Sequence, residues 1–119
     1  MDILLASADP EVVEAAQPVL IAAGYRLLLV ATGADVLQYT GDAGVDLYLL
    51  DYNLPEMAGL RVARHLRQSY RIPRERIILL YPATLPPSYQ AEIQANEVLI
   101  TPFTGVELIL TVMRHLART

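Results

Sequence analysis

The sequence predicts an α/β fold, in which a five-stranded parallel sheet is covered on both faces by five helices. Two observations lead to this fold class. Five short apolar runs alternate along the chain with longer helix-like segments. These runs are continuously apolar rather than alternating with polar residues, which is typical of parallel strands buried on both faces. Right-handed crossovers then give a doubly wound, three-layer sandwich.

The predicted elements alternate strictly along the chain. Strands are expected at 2–6, 26–31, 46–51, 76–81 and 97–101. Helices are expected from Pro10 to about 23, from 34 to about 40, from Gly59 to Tyr70, as a modest helix within 84–96, and from Gly105 to Arg118. Asp9 fits the N-cap of the first helix and Gly24 its end. Pro18 lies inside that helix and is expected to kink it, because proline removes one backbone hydrogen bond.

Length and composition restrict the function classes. The 119 residues are expected to form one domain, 1–119. There is no cysteine, which excludes disulfides, thiolate nucleophiles and zinc–thiolate sites. No apolar stretch is long enough to span a bilayer, and the first residues lack a basic signal-peptide region, so a cytoplasmic protein is expected. The net charge of −4 argues against nucleic-acid binding by the domain.

One carboxylate stands at the end of a buried apolar run. In LYLLDYNLPEMAGL, residues 47–60, four apolar residues lead directly into Asp51, and a turn follows. Ligands of open parallel sheets bind outside the carboxyl ends of the strands. Asp9, Tyr81 and Thr101 lie at or just past other strand ends. This edge of the sheet is therefore the predicted functional site.

These motifs resemble, along the whole chain, the receiver domain of two-component response regulators, the CheY-like family with a flavodoxin-like fold. The most specific match is LYLLDYNLPEMAGLRVARHLR, which resembles the family's third strand, phosphoacceptor aspartate, following loop and helix. AAGYRLLLVATGADVL and VLITPFTGVELI match two further family segments in the same order. The resemblance implies that Asp51 corresponds to the residue that accepts a phosphoryl group from a histidine kinase. It also implies a kinase or an output domain as partner, and a chain that continues past residue 119 in a longer regulator.

The residues that make this aspartate reactive in the family are replaced here. The family's pair of acids that holds Mg²⁺ falls on Ser7 and Ala8. The lysine before the Pro-Phe corner falls on Thr101, the Ser/Thr that ends the fourth strand falls on Tyr81, and the switch aromatic falls on Val98.

The remaining Mg²⁺ ligands would be Asp51, a backbone carbonyl near Asn53 and water, with Asp9 as a further candidate if the first strand slipped by one residue. No cofactor is therefore expected, and Mg²⁺ binding is expected to be weak at most. Without these cations, transfer to Asp51 should be slower by several powers of ten, since electrostatic stabilisation dominates phosphoryl transfer.

Two site residues keep two interpretations each. Asp51 is either a working phosphoacceptor or an inherited acid, solvated or hydrogen-bonded to loop amides. Tyr81 either fills the vacated pocket, with its hydroxyl near Asp51, or is an exposed or partly buried tyrosine at a strand end.

Two surfaces are candidates for partner binding. Six of the nine arginines lie between Arg61 and Arg76, either as a solvated helix face or as a contact for an acidic partner or nucleic acid. In the family, the fourth helix, fifth strand and fifth helix form the usual dimerisation and output face. Here that face would comprise Tyr89, Ile93, Val98, Leu108 and Leu110, which suggests a partner or a homodimer. The core-facing stripe of the last helix is predicted as Val106, Ile109, Val112, Met113 and Leu116.

The sequence thus leads to a degenerate receiver domain that acts as a protein-interaction or dimerisation module without normal Mg²⁺-dependent phosphorylation. A functional receiver phosphorylated on Asp51 through an atypical pocket is the first alternative. A receiver-like domain that senses a small molecule is the second. An enzyme is not expected, because no nucleophile–base pair is visible.

Overall fold

The computed structural model describes residues 2–40, 44–82 and 97–117. Five parallel strands form one sheet in the order β2-β1-β3-β4-β5, which confirms the predicted sheet. The strands are β1 (Asp2–Ala6), β2 (Arg26–Val30), β3 (Leu47–Asp51), β4 (Ile77–Pro82) and β5 (Glu97–Thr101). β3 lies at the centre, so its carboxyl end opens in the middle of the sheet edge.

The described residues form four α-helices rather than the predicted five. They are α1 (Pro10–Ala22), α2 (Gly33–Thr40), α3 (Gly59–Ser69) and α4 (Gly105–Leu116), with a 3₁₀ turn at Arg74–Arg76. The helix predicted within 84–96, together with Tyr89 and Ile93, lies outside the described residues. The helix that was predicted fifth is therefore α4 here.

The start of α1 follows the sequence signals. Asp9 is its N-cap, and its Oδ1 accepts a hydrogen bond from the Glu11 N–H at 2.9 Å. Pro10 occupies the first helical position, where proline has no amide hydrogen bond to lose. Gly24 adopts a φ of 90° just past the helix end, a conformation that favours glycine. Pro18 lies inside α1 on its exposed side, and the helix continues to Ala22.

Strand alternation divides the core into two clusters, one on each face of the sheet. One face holds Tyr48, Leu50 and Leu79 against α2 and α3. The other face carries Leu49 and Leu80 against α1 and α4. Each fully buried leucine contributes about 1.5–3 kcal/mol to folding. The central strands are thus fixed from both sides, and they hold the carboxyl edge of the sheet in place.

The predicted core stripe of the last helix is confirmed for Val112, Leu116 and the partly buried Ile109, and it is wrong for its other two residues. Leu108 was expected on the interaction face, but it is fully buried with Val112 on the α1 side of the sheet. Val106 and Met113 were expected in the core, but they are 69% and 54% exposed. This helix has apolar residues on two faces, and only the packing against the sheet selects which face is buried.

The other two predicted interaction-face residues on described elements, Val98 and Leu110, differ in their exposure. Val98 was expected on the surface, but it is partly buried and packs against the α2–α3 cluster. The alternation of β5 turns this side chain inward. Leu110 is 60% exposed, as expected for a surface residue.

Candidate functional site

Asp51 ends β3 and is 7% exposed, and both of its carboxylate oxygens accept hydrogen bonds. The Ser7 hydroxyl donates to Oδ2 at 2.7 Å. The Asn53 backbone N–H donates to Oδ1 at 3.0 Å. A buried carboxylate is costly unless hydrogen bonds replace its hydration. These two donors therefore explain how an acid is tolerated at the end of an apolar strand.

The register of the sheet brings Ser7 to Asp51. Ala6, the last residue of β1, is paired with Leu50, so Ser7, which follows β1, comes beside Asp51 at the end of β3. The Ser7 N–H continues the pairing with β2 by donating to the Val30 carbonyl at 3.0 Å. Its hydroxyl also accepts from the Asp9 N–H at 3.1 Å. Ser7 thus connects the acid on β3 to the start of α1.

The loop from β3 to α3 depends on one glycine. A Cβ at Gly59 would lie 2.2 Å from the carbonyl oxygen of Asp51, which is backbone and cannot move aside. The Gly59 N–H donates to the Tyr52 carbonyl at 3.1 Å, and the Tyr52 N–H donates to the Leu80 carbonyl at 3.0 Å. Glycine at position 59 therefore lets α3 start directly against the backbone of Asp51.

A pocket of about 310 Å³ opens at this edge of the sheet. Its lining brings together residues from α1, β3, β4 and β5, with the loops that follow or precede them: Ala8, Asp9, Val12, Asp51, Asn53, Pro82 and Thr101. An adjoining pocket of about 280 Å³ shares Asp9 and Thr101 and extends along α1 to Phe103. Five predicted site residues thus share one pocket, and Ser7 reaches it through its hydrogen bond to Asp51.

Asp9 has two structural roles, as the N-cap of α1 and as a residue of the pocket lining. It was expected in the pocket only if β1 slipped by one residue, but the register is unshifted, and Asp9 both caps α1 and lines the pocket. The cap uses Oδ1, so the second oxygen remains for other partners. Helix capping and pocket lining are therefore compatible at this position.

Tyr81 neither fills the pocket nor lies exposed or partly buried at the strand end, so both predictions for it are wrong. It is 3% exposed, lies in the core cluster beside α2 and α3, and meets the Tyr52 ring edge to face at 5.6 Å. It does not belong to the pocket lining. The physical reason is strand alternation: Asp51 pairs with Leu80, so Tyr81 points to the opposite face of the sheet.

Sequence reasoning missed two pocket residues, Val12 and Pro82. Val12 lies in the first turn of α1, and Pro82 ends β4 directly behind Tyr81. The motif itself gives the signal for Pro82, because it occupies the first position past a predicted strand end. Val12 could be found only from the helix phase that follows from Asp9 as N-cap.

All charged side chains among the described lining residues of the pocket are acidic. Among the described residues that line it, Asp9 and Asp51 are acidic, and none is Lys, Arg or His. The described ranges also hold no cluster of three or more acidic or histidine side chains that could share a metal ion. The Ser7 hydroxyl donates a hydrogen bond to one oxygen of Asp51 and so competes with a cation for that oxygen. This donor set does not reproduce a site built on several carboxylates.

The chain was compared with known proteins. The model of the response regulator receiver domain matches residues 3–112. The DNA-binding response regulator MtrA of Mycolicibacterium smegmatis is 30% identical over 118 residues, which cover 98% of this chain and 50% of that protein. The transcriptional regulatory protein CpxR of Klebsiella pneumoniae is 29% identical over 119 residues, with 98% and 50% covered.

A solved structure shows the same fold. The receiver domain of a sensor histidine kinase from Pseudomonas aeruginosa superposes with a TM-score of 0.83 at 29% identity, covering 98% of this chain and 97% of that one. That structure has a magnesium ion coordinated in its active-site cleft. This chain spans about half the length of the curated relatives it matches. Within 2–40, 44–82 and 97–117, no helix has the length and apolar character that crossing a membrane requires.

Proposed function

The chain belongs to the response regulator receiver family, and from this premise we propose that it is a degenerate receiver domain. In two-component signalling it would act as a protein-interaction module without normal Mg²⁺-dependent phosphorylation of Asp51. One observation supports this most directly: Asp51 accepts a hydrogen bond from a neutral serine, Ser7, at 2.7 Å. The resemblance assigns the position of Ser7 to one of the family's Mg²⁺-binding acids. The interaction role would need no phosphoryl chemistry at Asp51.

The electrostatics of the pocket favour this function. A phosphoryl group adds about −1.5 to −2 charges near neutral pH. In this pocket it would meet the carboxylates of Asp9 and Asp51, while Thr101 supplies no positive charge. Each pair of like unit charges at ~4 Å costs roughly 1–4 kcal/mol, depending on the local dielectric. The loss of two cations therefore predicts phosphorylation that is slower by several powers of ten.

Labelling with a small phosphodonor tests the proposal. The protein is incubated with acetyl phosphate and Mg²⁺, and its intact mass is followed over time. We expect no added phosphoryl group that depends on Asp51. The Asp51→Asn variant is the matched control, because it keeps an oxygen acceptor for Ser7 and removes the acceptor carboxylate.

A restored variant makes a negative result informative. Substitutions S7D, A8D and T101K together reinstate the acid pair and the lysine by family position. This variant should take up one phosphoryl group in a Mg²⁺-dependent way if the missing charges are the cause. Clear labelling of the unmodified protein at Asp51 would overturn the degenerate function. Failure of the restored variant, shown to be folded by circular dichroism, would mean that charge alone does not explain the loss.

A second candidate function is a working receiver with an atypical pocket. The observation in its favour is that Asp9 and Asp51 line the same pocket together with Asn53. Mg²⁺ in proteins is often bound by only one or two carboxylates with water. Under this alternative, Asp9→Ala would abolish labelling of Asp51, whereas the degenerate function predicts that there is no labelling to lose.

The class of partner can be inferred from the receiver family and from the greater length of the relatives. Receiver domains exchange signals with histidine kinases and output domains, and we propose one of these as the partner here, in the cytoplasm. The curated relatives are about twice as long as this chain, which is consistent with an output domain elsewhere in the natural protein. Of the predicted dimerisation face, only Leu110 stands as an exposed residue on a described element, so the contact surface needs to be redefined.

A further inference from the structure

One side of α3 carries much of the positive charge of the chain. Residues 57–76 contain six arginines and a single acid, Glu75, so this segment has a net charge of +5, although the whole chain has −4. On α3, Arg61, Arg64 and Gln68 follow one another at spacings of three and four residues, which place them on one side of the helix. All three are exposed, and the buried residues of α3 lie on the opposite side. The net charge that argued against nucleic-acid binding is therefore an average, and one surface of the molecule is strongly basic.

The exposed arginines of this region are not neutralised by neighbouring acids. In the part of the chain that the structure describes, Arg61, Arg64 and Arg71 form no ion pair with a carboxylate. The acids of α1, Glu11 and Glu14, lie on the other side of the sheet. Exposed charges separated by such a thickness are largely screened, because the Debye length is about 8 Å at physiological salt. An anionic partner would thus meet guanidinium groups that are available for binding.

Arg71 occupies a position that favours glycine. It follows the C-cap of α3 with a φ of 57°, in the left-handed region of the backbone map. The Ile72 N–H donates to the Leu66 carbonyl at 3.1 Å, so the turn that closes the helix depends on this conformation. Arginine is therefore less stable here than glycine would be. A residue held in such a conformation is a candidate for a functional side chain.

An aromatic pair lies beside these arginines. His65 is exposed one helical turn after Arg61, and its ring centroid lies 5.9 Å from that of Tyr70, which is 40% exposed. Nucleic-acid bases stack on exposed aromatic rings, and arginine binds phosphate through paired N–H donors. This surface thus combines the two kinds of group that bind a single nucleic-acid strand.

We propose that this surface binds single-stranded nucleic acid. We call it the α3 face and define it by Arg61, Arg64, His65, Tyr70 and Arg71. The arginines contact phosphates of the strand, and a base stacks on the ring of Tyr70. Neither contact involves the 2′-hydroxyl, so RNA and DNA strands should bind with similar affinity. A duplex should bind more weakly, because its bases are already stacked on one another.

The aromatic pair favours a nucleic acid over an acidic protein segment. Arginine pairs with carboxylate as well as with phosphate, so charge alone does not distinguish the two partners. A base has a flat face that can stack on Tyr70, whereas the side chains of aspartate and glutamate have none. Stacking of one base should strengthen binding by about fivefold or more.

The affinity should be modest, because three arginines make few phosphate contacts. We expect a Kd of roughly 10–100 µM at about 50 mM salt for a strand of about ten nucleotides. With three phosphates neutralised, the logarithm of the binding constant falls by about 2 for each tenfold increase in salt. Binding should therefore weaken by about twentyfold between about 50 mM and about 200 mM salt.

Fluorescence anisotropy with labelled oligo(U) and oligo(dT) tests the proposal. The double variant R61Q/R64Q should bind both strands about tenfold more weakly and with a smaller salt dependence, because two phosphate contacts are lost. The matched control is Arg114→Gln, since Arg114 is exposed on α4, across the sheet, and the same charge is removed. Its Kd should be unchanged. Absence of binding at about 1 mM protein in about 50 mM salt, or an equal loss in Arg114→Gln, contradicts the proposal.

Tyr70→Leu tests the stacking contact. It keeps an apolar side chain beside His65 and removes the ring, so both strands should bind about fivefold more weakly or worse. A labelled glutamate peptide of similar length and charge should bind more weakly than the strands, and Tyr70→Leu should not change its affinity. A peptide that binds as tightly as the strands, together with no effect of Tyr70→Leu on the strands, would assign the α3 face to an acidic protein and overturn the proposal.

Arg71→Gly separates binding from stability. Glycine relieves the left-handed conformation, so the Tm should rise by about 2–4 °C. Binding of both strands should weaken by about threefold or more, because one phosphate contact is lost. Unfolding could not explain weaker binding by a more stable variant. An unchanged Kd would contradict the place of Arg71 in the α3 face.

This inference goes beyond the proposed function and does not depend on the state of Asp51. The two sets of experiments fail separately. Phosphorylation of Asp51 would overturn the degenerate function and leave strand binding by the α3 face untouched. A protein that binds neither strand and is not phosphorylated would overturn this inference and leave the degenerate function standing.

Discussion

The two sides of the Asp51 pocket differ in what they retain. On the β3–α3 side, Asp51, the Asn53 amide and Gly59 form a tight backbone arrangement with specific hydrogen bonds. On the side formed by the ends of β1 and β5, Ser7 and Thr101 are neutral, and Ser7 donates a hydrogen bond to Asp51. The first side is fixed by backbone hydrogen bonds and a close backbone approach at Gly59, and the second side carries neutral side chains.

The two sides of the pocket are expected to contribute differently to the stability of the fold. The β3–α3 loop packs against the central strand, so replacing its residues would disturb the core. On the other side, Ser7 is held to Asp51 by one side-chain hydrogen bond and Thr101 is only partly buried, so substitutions there are expected to cost less stability than a substitution at Gly59. Substitutions at Gly59 and Ser7 test whether the two sides depend on packing and on hydrogen bonding in this way, and a third, at Tyr48, gives a reference within β3 away from the pocket.

The largest effect is expected at Gly59. In Gly59→Ala, the new Cβ would lie 2.2 Å from the Asp51 carbonyl oxygen, so the α3 start or β3 must shift. We expect the free energy of unfolding to fall by about 3 kcal/mol, measured by urea denaturation. Gly44→Ala is the matched control, because a Cβ there meets no atom within 4 Å, and it should change stability by less than about 0.5 kcal/mol. Equal effects of the two substitutions would remove packing as the reason for the loop geometry.

An intermediate effect is expected at Ser7. Ser7→Ala removes the hydroxyl that donates to Asp51 Oδ2 at 2.7 Å and leaves a buried carboxylate oxygen without this donor. The loss should be about 1–3 kcal/mol in the free energy of unfolding at neutral pH. Ala8→Ser is the control, because Ala8 is exposed next to it and should tolerate the change within about 0.5 kcal/mol. An unaffected Ser7→Ala variant would show that water replaces the serine, and that this side of the pocket contributes nothing to stability.

The smallest effect at neutral pH is expected at Tyr48, the other polar residue of β3. Its hydroxyl donates to Thr40 Oγ1 at 3.3 Å, a long bond, so Tyr48→Phe should cost less than about 1 kcal/mol. Burial raises the pKa of Tyr48 above its ordinary value of 10.0, the Thr40 hydrogen bond opposes this, and nearby Tyr70 adds to it.

The raised pKa predicts a pH dependence with a definite sign. Below pH 10, Tyr48 is protonated in both states and its contribution to stability is complete. As the pH rises from 10 towards the folded-state pKa, the unfolded chain loses this proton first, and the folded state is destabilised. Tyr48→Phe should therefore lose less stability than the unmodified protein at alkaline pH in denaturant titrations. Parallel pH profiles for the two proteins would contradict the raised pKa.

Much of the fold was predictable because its signals are local. Continuous apolar runs gave all five strands within one residue of their observed bounds, and Asp9 with Pro10 gave the start of α1. The Asp51 site was predictable for a related reason, since the carboxyl ends of parallel strands share one edge. The pairing of Ser7 with Asp51 was not stated from the sequence, because it depends on the register between two strands that are 44 residues apart.

Two interpretations failed because the sequence leaves a choice between faces. Tyr81 lies in a strand, β4, that is apolar on both sides, so only the pairing of Asp51 with Leu80 decides that its ring points away from the pocket. The last helix has apolar residues around most of its circumference, and its packing decides that Leu108 is buried and Val106 exposed. In both cases apolar residues occur on both sides of the element, so the hydrophobic pattern does not indicate which side is buried.

The sequence by itself therefore determined the five strands, the four described helices, their order and five of the seven residues that line the pocket, because these depend on local propensity and on the family motif. Only the tertiary structure decided which face each side chain takes: Asp51 towards Ser7, Tyr81 into the core, and Val106, Leu110 and Met113 into solvent. The physical reason is that strand register and packing between distant segments decide on which face of a strand or helix a side chain is buried. A buried parallel strand or an all-round apolar helix carries no local signal for it.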